Sequence, residues 1–297
     1  MKLCKPLFEI WEQSAGLEGV YKMIEYAGRV CYKSEDKITE DSAKPFVDRM
    51  IKSGHGAMLE HGTVYLQYET AKSAINPLTK YYLNKYSKVK AKEGAIEETM
   101  RLFVTTNLRV LVENNHLSDL KYLCEPTEFH EKRITVHFVC DRGVSHEFVR
   151  HRVMSFAQES TRYCNYSKDK FGNELTFIKP CWLDIPTGHY AYWDGDWCDI
   201  DKIKIQLPEG EHKDIDAFLW TLNNAETHYT LLINSGWKPQ EARAVLPNSL
   251  KTELVMTGFV SDWKHFFELR CDSAAHPQAK ELAIPLKEEF IKRGYEV

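Results

Sequence analysis

The sequence predicts an α+β fold, a single mixed helix and sheet domain over residues 1–297. Several segments place apolar residues at helical spacing, and others alternate apolar and polar residues as strands do. The two kinds follow each other without a regular β-α-β order, which is typical of α+β proteins. No G-x-G-x-x-G motif is present, so the sequence does not indicate a Rossmann dinucleotide site.

The first half of the chain is predicted to contain helices around one strand. A helix over 39–54 is indicated by apolar residues at helical spacing between a capping threonine and a terminal glycine. Residues 64–68 alternate as a strand, and 96–113 are predicted to be helical. The stretch 79–92, rich in lysine and tyrosine, is interpreted as a solvated helix face, with contact to nucleic acid as the alternative.

The second half is predicted to contain one long helix and several shorter elements. In order, these are a strand over 134–138, a short helix over 144–152, an irregular segment over 180–212, an amphipathic helix over 215–232, a helix opened by Pro239, a short strand over 254–256 and two helices over 263–269 and 279–292.

Composition and charge argue against several classes of protein. The net charge is −4, so the chain has no global positive field to attract nucleic acid. No apolar run approaches the roughly 20 residues of a membrane span, and residues 1–6 lack a signal-peptide core, so we expect a cytoplasmic protein. The eight cysteines form no C-x-x-C pair, so we expect buried thiols and no metal site.

The densest group of chemically active residues lies between Arg150 and Tyr163. It holds three arginines, a histidine, a glutamine, two serines and a threonine. Guanidinium groups bind phosphate through paired donors, and a glutamine amide can bind a base edge or a ribose. The alternative, a helix surface of solvated charges, does not explain the apolar residues that interrupt the charged ones. The segment therefore predicts a nucleotide site.

This segment resembles the signature of the flavin-dependent thymidylate synthases. Arg150-His151-Arg152 is followed by Ser160 and then by Arg162-Tyr163, as in that family. Two further segments resemble the family in the same order, residues 54–61 and residues 242–278. The resemblance implies an α+β domain of that family's type, with the segments 72–130 and 168–212 as insertions.

The resemblance also implies an activity. Members convert dUMP to dTMP, with methylenetetrahydrofolate as carbon donor and NADPH as the reductant of a bound FAD. They are homotetramers whose sites lie at subunit interfaces, which implies the same assembly for this chain, with neither nucleic acid nor membrane as a partner.

Site residues follow from the resemblance position by position. Those implied to contact FAD are His55, Glu60, Arg150, His151, Arg152, Gln158 and His265. Those implied to bind dUMP are Glu147, Arg150, Gln158, Glu159, Ser160, Thr161, Arg162, Arg243 and Arg270, with Arg243 coming from another subunit. Arg270 is implied to be catalytic, because its charge favours the ionised uracil ring.

Some positions depart from the family pattern. Glu147 stands where some members have glutamine, and Phe259 and Ser261 stand where many have asparagine and arginine near the flavin. His276 lies in a loop that is longer than in small members, and a structural role is the alternative for it.

Three other functions are alternatives from the residues alone. A methyltransferase with a cysteine nucleophile would use Cys164 or Cys271, which both neighbour arginines. A non-catalytic nucleotide-binding protein would use the arginines only. A metal hydrolase would use His55, Glu60 and His61, although their spacing differs from H-E-x-x-H.

Overall fold

The computed structural model describes residues 1–71, 79–94, 98–168, 171–208 and 213–297. Its strands are β1 (Lys2–Cys4), β2 (Leu7–Trp11), β3 (Thr63–Ala71), β4 (Lys88–Glu93), β5 (Thr99–Asn107), β6 (Arg133–Asp141), β7 (Ser155–Gln158), β8 (Thr176–Ile178), β9 (Gly188–His189), β10 (Ala191–Trp193), β11 (Asp196–Cys198) and β12 (Lys251–Phe259). Its helices are α1 (Gly16–Tyr32), α2 (Ala43–Lys52), α3 (Gly56–Leu59), α4 (Thr79–Tyr82), α5 (Leu108–Glu113), α6 (Arg142–Phe148), α7 (Lys213–Asn234), α8 (Pro239–Ala242), α9 (Val260–Arg270) and α10 (Pro277–Lys292). Mixed helices and sheets confirm the α+β prediction.

A central antiparallel sheet has the strand order β2-β6-β12-β7. Because side chains alternate along a strand, every second residue of β6 and β12 faces helices α9 and α10. That face forms an aromatic core that includes Phe138, Trp263, Phe266 and Phe290. The core anchors α9, which carries two residues of the predicted site, His265 in its middle and Arg270 at its C-terminal end.

The opposite face of the central sheet lies under helix α1. Ala27 and Val30 of the helix pack there against Ala157 and Val255 of the sheet. Helices α1 and α2 also pack on a second antiparallel sheet of order β3-β5-β4. Lys33 follows the last residue of α1; its φ of 46° is left-handed, and this conformation ends the helix.

A third sheet, of order β8-β1-β9, packs with helix α7 in a separate apolar cluster. Strand β1 is parallel to β8 and antiparallel to β9. The next two strands in the sequence, β10 and β11, form an antiparallel pair of their own. The irregular segment predicted over 180–212 therefore contains short strands, while its last residues, 209–212, lie outside the described residues.

Most element predictions from the second half of the chain are confirmed. The segments 134–138, 215–232, 263–269 and 279–292 lie in β6, α7, α9 and α10, and Pro239 opens α8. The strand predicted over 254–256 is longer, because both of its edges are paired along the central sheet. The helix predicted over 144–152 ends at Phe148, where the chain turns into the signature segment.

Three predictions from the first half need correction. The helix predicted from residue 39 begins at Ala43, because residues 39–42 form a turn closed by the Ser42 hydroxyl. The stretch 79–92 is a short helix followed by edge strand β4 rather than one helix face. The helix predicted over 96–113 is strand β5 followed by α5; residues 96 and 97 lie outside the described residues. Within the described residues, no helix is long and apolar enough to cross a membrane.

Candidate active site

The signature segment begins where helix α6 ends. Asp141 caps this helix, since its carboxylate accepts a hydrogen bond of 2.7 Å from a backbone N–H in the first turn. After Phe148 the chain turns, and the backbone N–H of His151 donates to the Phe148 carbonyl at 3.2 Å. Arg150 and Arg152 are exposed on this turn, whereas His151 is buried.

Arg270, the last residue of α9, links this turn to helix α6. Its Nε donates to Nε2 of His151 at 3.1 Å. Its Nη1 donates to Oε2 of Glu147 at 2.8 Å, and its Nη2 donates to the Glu147 backbone oxygen at 2.7 Å. The His265 ring centre lies 5.9 Å from that of His151. Because all three nitrogens of the guanidinium have partners, its plane is fixed.

His151 is held neutral by this arrangement. Burial, together with the charges of Arg270 and His265, lowers the pKa of His151 to about 4. Since Nε2 accepts from Arg270, the ring proton lies on Nδ1. Burial also lowers the pKa of Arg270, an effect that Glu147 opposes and Arg150 reinforces. The guanidinium nevertheless stays charged at neutral pH.

The shifted His151 pKa predicts a pH dependence of stability. Between its ordinary pKa of 6.5 and its folded value of about 4, the unfolded chain binds more protons, so stability falls as pH falls through this window. We expect His151→Gln to reduce the decrease in Tm between pH 7 and pH 5. Thermal unfolding at several pH values measures it, with exposed His146→Gln as control. Equal slopes for the parent and His151→Gln would contradict the assignment.

The residues after β7 form a compact turn. Gln158 donates through Nε2 to the hydroxyls of Ser145 at 2.9 Å and Thr252 at 3.2 Å. The backbone N–H groups of Tyr163 and Cys164 both donate to the Ser160 carbonyl, at 3.1 and 2.9 Å. The amide nitrogen of Gln158 is thus engaged within the chain, and its carbonyl oxygen can serve as an acceptor.

Arg243 approaches this turn from its own chain. Its Nη1 donates to the Thr161 hydroxyl at 3.1 Å. The loop that carries it returns beside the end of β6, where the backbone N–H of Arg142 donates to the Asn248 carbonyl at 2.9 Å. Arg243 therefore contacts the signature turn of its own chain, and its approach to a nucleotide bound by another subunit stays a prediction. Both Arg162 and Arg243 are exposed.

Glu159 differs from its neighbours because its side chain is completely buried. Oε2 accepts from Lys251 Nζ at 2.9 Å, and Oε1 accepts from the Tyr166 hydroxyl at 2.8 Å. Its carboxylate is therefore committed to partners within the protein. A contact between Glu159 and a substrate, as predicted, would have to come from its backbone.

A cleft of about 690 Å³ opens beside the signature turn, at the C-terminal end of α1. Its lining includes His55, Tyr32 and the two arginines Arg29 and Arg49. Both guanidinium groups lie over the Phe46 ring, 4.8 and 5.4 Å from its centre. The cleft adjoins the turn because the Tyr32 and Tyr163 rings are in contact, with centres 5.1 Å apart.

Glu60 and His61 lie deeper, between α3 and β3. The Glu60 carboxylate forms an ion pair with Arg109, and its backbone oxygen accepts from Arg133 at 2.9 Å. Burial lowers the pKa of His61 to about 3, and its Nδ1 lies 2.8 Å from the Thr257 hydroxyl. Among the described residues, no three histidine, cysteine, aspartate or glutamate side chains are grouped to hold a metal ion. The metal-hydrolase alternative therefore finds no support.

The two cysteines of the nucleophile alternative are not activated. Cys164 is fully buried in the apolar cluster of the third sheet. Burial raises the pKa of Cys271, which favours the thiol over the reactive thiolate. Lys287 opposes this increase but does not cancel it.

The positions that depart from the family pattern have local partners. Phe259 is buried, with the Lys88 amine and the Arg133 guanidinium each 5.6 Å from its ring centre. The Ser261 hydroxyl donates to Glu131 at 2.5 Å. Nδ1 of His276 accepts from the backbone N–H of Gln278 at 3.3 Å and so caps α10, which favours a structural role.

The structure brings the predicted residues into three neighbouring groups. Glu147, His151, His265 and Arg270 form one; Gln158, Thr161 and Arg243 lie along the turn; and His55 lies in the cleft. Glu60 is paired with Arg109, and no hydrogen bond or ion pair within the described part of the chain joins it to these groups. Sequence analysis missed Ser145, Tyr166, Lys251 and Thr252, which hold the turn from other elements.

Comparison with protein families gives a clear match. Residues 85–293 match the family described as "Thymidylate synthase complementing protein". This match spans well over half of the chain and includes the signature turn, Arg243 and Arg270. The chain therefore belongs to the thymidylate synthase complementing protein family.

Individual relatives are distant. The flavin-dependent thymidylate synthase of Pyrococcus furiosus is 30% identical over 157 residues, which is 52% of each chain. That of Corynebacterium aurimucosum is 22% identical over 277 residues, 92% of this chain and 77% of the relative. The chain spans about half the length of the first curated relatives it matches. A solved structure, the UMP/dUMP methylase PolB from Streptomyces cacaoi bound with 5-Br dUMP, has 18% identity and a TM-score of 0.43, over 98% of this chain and 93% of that chain.

Proposed function

We propose that the protein is a flavin-dependent thymidylate synthase, which converts dUMP to dTMP with methylenetetrahydrofolate as carbon donor and NADPH as reductant. Family membership supports this, together with the names of the relatives. The observation that carries the proposal is the fixed Arg270 guanidinium beside the turn of Arg150 and Arg152. We further propose that residues 1–297 form one domain, with insertions near 72–130 and 168–212.

The nucleotide is proposed to bind along the signature turn. Arg162 and Arg243 are exposed cations on either side of Thr161, so they can bind the dUMP phosphate through charge-assisted hydrogen bonds. Ser160 adds a hydroxyl, and the Gln158 carbonyl can accept from the base or the ribose. In this arrangement the phosphate lies at Arg243 and the ring extends towards Arg270.

Arg270 is proposed to act on the pyrimidine ring. The ring must become electron-rich at C5 to attack a carbon donor, and loss of the N3 proton leaves negative charge across it. A permanently charged guanidinium, held in place before the substrate arrives, stabilises that charge without reorganisation. Glu147 and His151 fix the orientation of the guanidinium. Because the His151 ring is neutral, its Nε2 can accept from Arg270 and does not repel it.

The cleft beside the turn fits the chemistry of FAD. Its aromatic side chains can pack on a planar ring, and Arg49 and His55 can offer donors to a pyrophosphate. Arg29 can add only Nη1, because its Nε and Nη2 donate to Glu25. Bound FAD would carry hydride from NADPH to the transferred carbon. We propose that these residues hold FAD together with Arg150, His151 and Arg152, and that a homotetramer completes the site at subunit interfaces.

Purified protein is therefore expected to be yellow and tetrameric. The absorption spectrum detects flavin directly, and light scattering after size-exclusion chromatography gives the mass of the assembly. Addition of dUMP should perturb the flavin spectrum, because the nucleotide turn adjoins the cleft. A colourless monomer that takes up no FAD on reconstitution would show that the proposal is wrong.

Arg162→Ala and Arg243→Ala are each expected to weaken dUMP binding about tenfold or more. Each removes a charge-assisted contact worth roughly 1.5–3 kcal/mol. Isothermal titration calorimetry measures the change in Kd. Arg293→Ala is the control, since it removes an arginine that pairs with Glu12 and Glu289 away from the turn. Unchanged affinity in both variants would place the phosphate elsewhere.

A further inference from the structure

Two lysines, two glutamates and a histidine form a buried charge cluster under the signature turn. Glu253 is at its centre: Oε1 accepts from Lys33 at 2.8 Å and from Lys251 at 2.6 Å, while Oε2 lies 2.9 Å from His137 Nε2. Lys251 also donates to Glu159 at 2.9 Å. We call Lys33, His137, Glu159, Lys251 and Glu253 the buried charge cluster.

The buried charge cluster is well removed from solvent. The exposed fraction is 0% for the Glu159 side chain, 12% for Glu253 and 17% for Lys251. Burial alone would raise the pKa of Glu253, but the bond from His137 and the charges of Lys251 and Lys33 hold that pKa below its ordinary value. Lys33 also pairs with the partly exposed carboxylate of Glu35 at 2.9 Å, and each charge inside the cluster depends on its partners to remain buried.

The cluster joins the two parts of the proposed site. At one end Glu159 directly precedes Ser160, so the position of its carboxylate fixes the start of the nucleotide turn. At the other end Lys33 ends helix α1 and lines the cleft. The same junction has a backbone link, since the N–H of Ser160 donates to the carbonyl of Cys31 at 3.0 Å.

Strand β12 supplies the middle of the connection. Lys251 and Glu253 lie two residues apart and therefore on the same face of the strand. Both residues pair with β6, and the backbone N–H of Glu159 donates to the Glu253 carbonyl at 2.8 Å, so these two side chains start from a rigid base. An ion pair on a rigid strand can hold a neighbouring turn, whereas one between flexible surface side chains cannot.

We propose that Lys251 and Glu253 are positioning residues, which hold the nucleotide turn against the cleft through Glu159 and Lys33. They touch neither nucleotide nor flavin. This inference rests on the proposed function, because it takes the turn as the dUMP site. It assigns a role in substrate affinity to residues of β12 that the family signature does not contain.

The test uses the double variant Lys251→Met/Glu159→Leu, which removes both charges of one pair. Because no unpaired charge stays buried, this variant is expected to fold, with a Tm lowered by the loss of the acceptor of the Tyr166 hydroxyl. Its Kd for dUMP should rise about tenfold or more, the loss expected when a charge-assisted contact is misplaced. KM for dUMP should rise in parallel while kcat changes little, because the lost binding is shared by ground and transition states.

Two further variants serve as comparisons. Lys251→Arg keeps the positive charge next to Glu159, so it should bind dUMP with most of the parent's affinity. Lys204→Met removes a lysine from an exposed ion pair with Asp196 and should leave the Kd unchanged. Calorimetry with dUMP gives all the values, and thermal unfolding checks the fold.

The outcomes separate this inference from the proposed function. If the parent protein itself binds no dUMP, the proposed function fails. If the parent binds dUMP and the folded double variant binds it equally well, the positioning role is overturned. The Kd of the double variant could instead rise only in proportion to its lost stability, with the Kd of Lys251→Arg equally high. That result would also overturn the positioning role and indicate a purely structural ion pair.

Discussion

Arg270→Ala should lower the rate of dTMP formation about a hundredfold or more while the protein remains folded and yellow. Removal of one preorganised donor from an active site typically has an effect of that size. The alanine variant also leaves Glu147 without its ion-pair partner and His151 without its donor. The oxidation of reduced flavin by dUMP and methylenetetrahydrofolate should slow, whereas its reduction by NADPH should change less.

Arg270→Lys is expected to rescue little of this loss. An ammonium group keeps the charge, but it cannot donate in one plane to His151 and to both acceptors of Glu147. Lys264→Ala, on the exposed side of the same helix, is the matched control. Rapid mixing with each substrate separates the two half-reactions. If folded, yellow Arg270→Ala made dTMP near the parent rate, the role assigned to Arg270 would be wrong.

Trp263→Ala should lower the free energy of unfolding by about 3–5 kcal/mol, the usual cost of truncating a buried tryptophan. Trp263 is fully buried against Phe266 and Phe290, with ring centres 5.2 and 5.3 Å away. Its indole N–H donates to the Ile134 carbonyl at 3.1 Å, and this buried acceptor would lose its partner. Because α9 carries Arg270, the loss would also loosen the proposed site.

Denaturant unfolding measures this effect. The control is Trp193→Ala, since that side chain is 55% exposed at the end of β10 and truncation there should change stability by only about 0.5 kcal/mol. Equal midpoints for the two variants would show that the aromatic core does not anchor α9.

Strand β5 shows why part of the fold could not be predicted. Leu102, Phe103 and Val104 are all buried, because β5 lies between two strands and packs on both faces. A strand buried on both faces loses the alternation that distinguishes it from a helix. The information that decides its structure lies in β3 and β4, and a local pattern does not contain it.

Strand β4 illustrates a pattern that was present but interpreted differently. Lys88, Lys90 and Lys92 alternate and are exposed, and β4 lies at the edge of its sheet. Lysines on an edge strand discourage pairing with other chains, which accounts for the basic character of this stretch. The stretch is also rich in tyrosine. One of these, Tyr81, is buried, and its hydroxyl donates to Asp119 at 2.7 Å, so its role is structural.

The candidate site was predictable where it is continuous in sequence. The residues from Arg150 to Arg162 lie in one segment, and their types alone indicate an anion site. Their supports could not be predicted, because Glu159 and Lys251 are far apart in the chain and meet only through the pairing of β7 and β12. Arg243 likewise reaches Thr161 only because its loop returns beside β6.

The uninterrupted pairing of β12 limits how this chain can vary in length. Nine consecutive residues pair with β6, from Lys251 opposite Asp141 to Phe259 opposite Arg133. Lys251 and Glu253 face the buried charge cluster, whereas Leu254 and Met256 point to the other face and fill the aromatic core. One inserted or deleted residue would exchange the two sets at once. Relatives can therefore differ in length at the β10–β11 hairpin, whereas β12 can change in residue type but not in residue number.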